Sequence, residues 1–524
     1  MLTRKILSLM LCLVMLSAAA VSLAETESIY PLDGGVTLTY FGKLHSKVAK
    51  VYPGWESLDV VQDWFKATGV TLQFQCPPAG MEEEQFNMML ASGEYTDIIN
   101  YDFKTVTGGL TKLYEDGVII DLTPYLPDYA PNYWAWLNNN PEAMKEIMDD
   151  EGRILCFPFA KGGGVLLTPP GPILREDILA ELGLETPLTI DQWEETLLAV
   201  KAAYPDMVPF TGSMTRLMCS FAPAFLISNG EWYYTEDYTA HYAPLEDGFV
   251  DFITRMASWF EMGLIDPDIM SIDDTSADNK MSAGLAFSSY GAGGAQVAAY
   301  VNANKDNPGY STIGVSIPTL QEDDTVKYVS EWPAMANPQF AVSTKCKDIE
   351  SALRMYDWAY TEEGYLRLNW GIEGVSYTVN ENGERHFTDL ILNNPDGLSV
   401  DAALANYALP HVKGPCSLVQ DQNYMLDYYA LDQQKRSMIN WTSRIEPNSY
   451  RMPSLSYIND ESARFTNLMA DIDTYYDTMV AKFILGQESL DNIEAFRETL
   501  YGMGLEEALT IQQDATTRFF TRGE

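Results

Sequence analysis

What this 524-residue chain lacks narrows its function before any motif is read. Its six cysteines and four histidines are scattered, with no C-x-x-C pair and no Cys/His cluster. Once a leader carrying Cys12 is set aside, Cys76, Cys156, Cys219, Cys346 and Cys416 remain, odd in number and far apart. That argues against a disulfide framework and against a zinc site, and for buried free thiols. Basic residues are scarce: 33 Lys and Arg face 74 Asp and Glu, a formal charge of −41. Nucleic acid and anionic membrane are therefore not expected partners, and the acidity reads as a solvated surface. After residue 24 no segment approaches the roughly 18 uninterrupted apolar residues a membrane-spanning helix needs. No G-x-S-x-G, H-E-x-x-H or Walker pattern occurs, and the glycine cluster YGAGGA from Tyr290 to Ala295 does not match G-x-G-x-x-G. Neighbouring carboxylates such as Asp273 and Asp274 arise by chance in so acidic a chain and do not by themselves point to glycoside hydrolysis. The turn DDEG from Asp149 lacks the alternating oxygen ligands of a calcium loop and reads as a plain surface turn, so no metal and no cofactor is expected. Internal repeats and low-complexity segments are also missing, which argues against a fibrous or mucin-like protein.

What is present starts with a leader. Arg4 and Lys5 precede an apolar stretch from Ile6 to Leu16, and small residues at Ser22 and Ala24 suit cleavage after Ala24, giving a secretory signal over 1–24 and a mature start at Glu25. Cys12 follows bulky Leu11 inside the apolar stretch and is a poor lipidation site. Removing Arg4 and Lys5 with a leader that has no acid takes the charge from −41 to −43. The roughly 500 mature residues suffice for about three domains or two large lobes, at roughly 150 residues per domain.

Periodicity gives the fold class. VTLTYF from Val36, a Gly- and Pro-punctuated loop, the helical SLDVVQDWFKATG and the strand VTLQFQC read as a βαβ unit, followed by helix EEEQFNMMLASG and a buried strand TDIINY ending at Tyr101. The alternation predicts an α/β lobe. EGRILCFPF from Glu151 reads as a turn and a strand running to Pro158, and KGGG from Lys161 as a joint. Further on, Ile178, Leu179 and Leu182 share a stripe that ends at Gly183, and Thr189 with Gln192 has capping-box spacing before a second helix. Trp193, Trp259 and Trp358 fall on helical apolar stripes and are expected in the core. Strands GLAFSSYG and FAVSTK, helix IESALRMYDWAY, a hairpin with an Asn382-Gly383 turn and a helical C-terminal region from about Ser462 complete the reading.

The order of these pieces resembles the family 1 extracellular solute-binding proteins of bacterial ABC importers, in particular the long subgroup associated with oligosaccharides, over nearly the whole mature chain. The residues that carry it are ASGEYTDIINYD, DEGRILCFPF, LREDILAELGLETPLTIDQWEETLLAVK, MGLIDPDI, AVSTKCKDIESALRMYDWAYTEEGYLRLNWGIEGVSY and KFILGQESLDNIEAFRETLYGMGLEEAL. The resemblance implies a two-lobed α/β architecture, the periplasmic-binding-protein-like type II fold, with ligand between the lobes. It implies crossings near Phe159, Phe340 and roughly Pro410, hence lobe 1 from 25–159 with 341–410 and lobe 2 from 160–340 with 411–524. Hinge closure on the ligand is implied too. Many Gram-positive members carry a lipidated N-terminal cysteine, and the SLA ending of this leader departs from that pattern.

Candidate ligand-binding residues follow from position. Asn100, Tyr101 and Asp102 end a buried strand, where open α/β sheets collect ligands, and Tyr290 ends the strand GLAFSS. Trp55 and Trp332 lie in turn-rich loops. Flat aromatic faces against sugar C–H patches, with amides and carboxylates on hydroxyls, are what a carbohydrate site needs. The function expected is that of a non-enzymatic, monomeric, extracytoplasmic receptor that passes a carbohydrate, an oligosaccharide in particular, to an ABC importer permease. A secreted carbohydrate-active enzyme, a surface adhesin or sensor, and a receptor for a peptide or another small solute stand as alternatives, since fold does not dictate ligand.

Overall fold

The computed structural model describes residues 29–228, 231–328, 334–446, 450, 452–458 and 461–522. The leader, with the expected cleavage at Ala24, lies outside them, and so does Trp332.

The expected βαβ start is present: strand Val36–Phe41 pairs in parallel with Val70–Gln75, Val36 opposite Val70, and helix Asp59–Thr68 connects them. Gly69 closes that helix at φ 77°, which a residue with a Cβ adopts only under strain. Strand Ile98–Tyr101 joins the other side of Val36–Phe41 in parallel, fixed at the base by Asp97, whose carboxylate accepts from Thr39 N and Oγ1 at 2.8 and 2.6 Å. The full sheet has six strands in the order Leu418–Gln420, Phe157–Lys161, Met335–Val342, Ile98–Tyr101, Val36–Phe41, Val70–Gln75. Only Met335–Val342 runs against its neighbours. The strand expected to stop at Pro158 continues to Lys161. Pro158 lacks an N–H for the ladder, but it falls opposite a register shift in Met335–Val342, between Ala336 and Phe340, a bulge of the kind that admits proline.

A second, four-stranded sheet has the order Thr312–Gly314, Gly171–Arg175, Ala286–Gly291, Val208–Phe210. The corner before it forms as its residues dictate: Gly183 caps helix Glu176–Leu182 at φ 65°, and both bonds of the Thr189/Gln192 capping box start helix Ile190–Ala203. Helices Asp247–Glu261, Glu461–Ile484, Ile493–Gly502 and Leu505–Phe520 cover this lobe.

Each sheet carries its own core. The first draws on Leu38 to Phe159, Phe340 to Leu368 and Ala405 to Leu418; the second on Leu174 to Val315 and Leu468 to Ile511. The chain therefore passes between the cores after Phe159, before Phe340 and after Leu418, where Val412 and Cys416 still belong to the first. Trp193 and Trp259 are in the second core and Trp358 in the first, all at most 1% exposed. Asp357, also 0% exposed, caps a helix it does not belong to: its carboxylate accepts from Tyr133 N at 2.8 Å and Asn132 Nδ2 at 2.7 Å at the start of helix Pro131–Asn139, whose own N-cap, Ala130, offers no side chain.

The DDEG turn is more than surface. Asp149 accepts from Arg153 N and Nε at 2.9 and 2.7 Å, and Asp150 receives Arg518 and Arg522 from the C-terminal end of the chain at 3.0 and 2.6 Å. Arg522 is 2% exposed in its side chain, so this is a buried tie between the first lobe and the C-terminal helix of the second.

Candidate functional site

Strands Phe157–Lys161 and Leu418–Gln420 run parallel, with Lys161 opposite Gln420 at their C-terminal ends. Facing them from the second lobe are Pro169 and Pro170, which lead into strand Gly171–Arg175, and Ala292 to Ala295, which follow strand Ala286–Gly291. Between these groups lies a cavity of 340 Å³. Trp441, on helix Asp432–Thr442, forms one wall. Its indole lies over Gly171 and Gly314, where an added Cβ would run into the ring, and its Nε1–H donates to Pro172 O at 3.1 Å. Tyr424, Tyr428 and Tyr429 form another wall, two of them with pinned hydroxyls: Tyr424 donates to Pro410 O at 3.1 Å and Tyr428 donates to Asp401.

The polar lining is unusual in what it leaves unbonded. Gln420 is 6% exposed; its Nε2 donates to Pro410 O and Tyr424 Oη, while Oε1 has no protein partner. Thr168, 4% exposed, has an unpartnered Oγ1. His411 donates Nε2–H to Asp401 O at 2.8 Å, which leaves Nδ1 as a bare acceptor, also unpartnered. Burial, and after it the charge of Lys47, against the hydrogen bond that the ring donates to Asp401 O, bring the His411 pKa down to about 4, so the ring is neutral at physiological pH. Lys47 itself sits 2.7 Å from Asp401. Buried polar groups are normally paired, and leaving one unpaired costs about 1–3 kcal/mol. Three such atoms around one cavity can be satisfied by a ligand with several hydroxyls, and the aromatic walls offer faces to the C–H patches of a sugar ring. Glycoside hydrolysis needs two flanking carboxyl groups, and no Asp or Glu among the described residues lines this cavity.

The residues singled out by position fall elsewhere. Asn100, Tyr101 and Asp102 come together in a second cavity of 440 Å³ with Lys43, Lys413, Glu82 and Glu83. Asn100 is 4% exposed with Nδ2 unpartnered; Tyr101 stacks on Phe86 at 3.9 Å and 4°. The Asp102 carboxylate accepts from Lys104 N at 3.3 Å, capping the turn Phe103–Thr105. Lys413 is pulled below the ordinary lysine pKa by burial first, and then by Lys43 and Lys104 against the opposing charge of Asp102. Tyr290 is part-buried and does not line either cavity; its hydroxyl meets Cys219, and burial raises its pKa well above the usual tyrosine value. Tyr101 and Tyr290 thus do not share a cavity. Trp55 is 0% exposed, with its indole N–H donating to Lys43 O at 3.2 Å, so its ring offers no face to a ligand.

The second cavity is linked to the first through two short segments: Lys43 and Lys413 line the one, Lys47 and His411 the other. Sequence reasoning missed Thr168, His411, Gln420 and Trp441. The only local signals were the glycine cluster after Tyr290 and the density of tyrosine between Tyr424 and Tyr429.

The sequence profile described as bacterial extracellular solute-binding protein matches residues 55–365. Lipoprotein LipO of Bacillus subtilis (strain 168) is 23% identical over 448 residues, covering 80% of this chain and 81% of the relative. The fructooligosaccharide ABC transporter substrate-binding protein FusA of Streptococcus pneumoniae serotype 4 is 23% identical over 486 residues, covering 87% and 86%. In fold, the crystal structure of an extracellular solute-binding protein from Bifidobacterium longum subsp. infantis superposes with a TM-score of 0.72 at 16% identity, over 93% of this chain and 99% of that one.

Proposed function

The chain belongs to the bacterial extracellular solute-binding proteins, and from that premise we propose that it captures an oligosaccharide outside the cytoplasmic membrane and delivers it to the permease of an ABC importer. The observation that carries the carbohydrate reading is the interlobe cavity, in which four aromatic side chains, Tyr424, Tyr428, Tyr429 and Trp441, surround three polar groups without protein partners. The fructooligosaccharide-binding relative supports it. The protein acts by binding, as a monomer, after export and cleavage behind Ala24; intact mass of the exported chain reads the cleavage. The ligand lies between the lobes in contact with Gln420, Thr168 and His411, and its far end reaches toward Asn100, Tyr101 and Asp102.

A thermal-shift screen against a glycan library tests this. A ligand at 100 times its Kd stabilises by about 2.7 kcal/mol, so a bound oligosaccharide produces a clear rise in melting temperature. A rise with peptides and none with glycans would overturn the reading, and release of shorter products would make the protein an enzyme.

Thr168→Val gives a sharper result because its two effects oppose each other. Removing a buried hydroxyl that has no partner is expected to leave unliganded stability unchanged or raise it by up to about 1 kcal/mol. The same change removes a hydrogen bond to ligand and weakens binding roughly tenfold, the factor that about 1.4 kcal/mol produces. Denaturant titration and calorimetry read the two quantities. Lost stability with unchanged affinity would make Thr168 a packing residue.

A further inference from the structure

Resting on that reading, we propose that Gln420 Oε1 and His411 Nδ1 act as a fixed pair of acceptors that read free, uncharged hydroxyl groups of the sugar as hydrogen-bond donors. The ligand class is then a neutral glycan that presents unsubstituted hydroxyls to this wall of the cavity. An ether, an ester, a carboxylate or a sulfate in the same place is refused.

The first observation is that the backbone sets the polarity of both groups. Pro410 O and Asp401 O are carbonyl oxygens and can only accept. Gln420 therefore keeps its amide N–H groups on Pro410 O and on Tyr424 Oη, the latter at 3.2 Å, and Oε1 is left as the free end of the amide. Turning the amide over would set Oε1 against Pro410 O, acceptor against acceptor. The His411 ring likewise carries its proton on Nε2, which donates to Asp401 O at 2.8 Å, and Nδ1 keeps its lone pair. Tyr428 holds the imidazole from the side, ring centres 5.6 Å apart. Asp401 lies in the first turn of helix Val400–Tyr407 and Pro410 just beyond its end, so one element of the first lobe orients both acceptors.

The second observation is that neither acceptor has a partner among the described residues, although both side chains line the cavity and Gln420 is 6% exposed. A site built around buried polar groups discriminates strongly against a ligand that fails to pair them, because they are then left bare. The Thr168 hydroxyl, also without a partner, can give or take a proton and sets no direction of its own.

The third observation is the charge around the pair. The Asp401 carboxylate is taken up by Lys47 at 2.7 Å and by the Tyr428 hydroxyl. Burial first, and then the charge of Lys47, keep the imidazole neutral. A cationic donor such as an ammonium group would meet the same desolvation and the same repulsion. A carboxylate or sulfate oxygen would set lone pairs against lone pairs. A hydroxyl donates without bringing charge, and satisfies both acceptors.

The test takes the mature protein and a panel of neutral tetrasaccharides built on glucose, fructose, galactose or mannose, together with carboxylated and sulfated glycans. For the tightest ligand, each hydroxyl in turn is replaced by hydrogen or by fluorine, which can accept but cannot donate. The expected result is a neutral glycan as the tightest ligand, with two or more hydroxyls at which hydrogen and fluorine weaken binding equally, by roughly tenfold or more. One of these losses disappears in Gln420→Met and another in His411→Phe, a coupling that a merely structural role would not produce. Gln420→Met leaves Pro410 O with the proton of Tyr424 at 3.1 Å, and melting temperature checks the fold of both variants. If either is unfolded, the hydrogen and fluorine series on the unaltered protein is read alone. Binding restored by fluorine, losses unchanged in both folded variants, or an acidic glycan as the tightest ligand overturns this inference and keeps the carbohydrate receptor. Absence of binding to every glycan overturns both.

Discussion

Trp441→Ala is expected to lower unfolding stability by about 3–5 kcal/mol, the usual cost of deleting a fully packed aromatic side chain. The indole is 1% exposed, lies on the glycine-floored face of the second sheet over Gly171 and Gly314, and donates to Pro172 O, so truncation both empties a void against two strands and leaves a carbonyl without its donor. Those strands lead into the site, at Pro170 on one side and through the pairing of Gly171 with Gly291 on the other. Ligand affinity is therefore expected to fall by more than the tenfold of Thr168→Val, because the cavity loses a wall and its floor loses its support. Trp441→Phe, which keeps a ring but not the N–H, is expected to recover part of both. Denaturant unfolding with calorimetry on the folded fraction reads this. Unchanged stability in Trp441→Ala would mean that the ring does not hold the sheet.

Glu231→Gln is expected to stabilise the protein at pH 8 by about 3 kcal/mol and to flatten its stability between pH 4.5 and pH 7. Burial first, and then the charges of Asp473 and Asp477, raise the Glu231 pKa from 4.5 to about 7. Tyr242 and Tyr476, 0% and 3% exposed, face the same group with hydroxyls that have no partner, and neither supplies a positive charge. The folded state thus binds the proton more tightly than the unfolded chain. The stabilisation this gives is fully present below the unfolded pKa and is lost as pH rises through the folded one, at about 1.4 kcal/mol per unit. Asp473 and Asp477 are raised as well, mainly by burial, and act in the same direction. A glutamine removes the titration and the charge that burial disfavours. Equal pH profiles for wild type and Glu231→Gln would show that Glu231 is solvated.

The fold was legible in the sequence wherever one local pattern decides a local outcome. Thr189 and Gln192 three residues apart start a helix wherever they sit, Gly69 and Gly183 end one, and alternating apolar runs fix the parallel strands. The strand end at Pro158 was misjudged because the allowance for a proline there comes from a bulge in Met335–Val342, almost two hundred residues later. The site was less legible for the same reason. Thr168, His411, Gln420 and Trp441 come from segments that only the two-lobed fold brings together, and the property that marks the first three, a buried polar atom with no partner, is not a property of a residue type. Trp55 shows the converse: a tryptophan in a turn-rich loop looks exposed in sequence, yet the carbonyl of Lys43 and the core take it up completely.

Capture between two lobes is tested most directly by small-angle scattering of the mature protein with and without the glycan that the screen returns. Closure is the behaviour of periplasmic binding proteins as a class, and a ligand drives it only by binding the closed form more tightly than the open one. In the proposed complex that difference would come from contacts to Gln420 and His411 on one side and Ala292 to Ala295 on the other. The radius of gyration should fall on saturation, and Thr168→Val should show the same fall at a higher ligand concentration. An unchanged radius at a concentration where calorimetry shows the site filled would contradict interlobe capture.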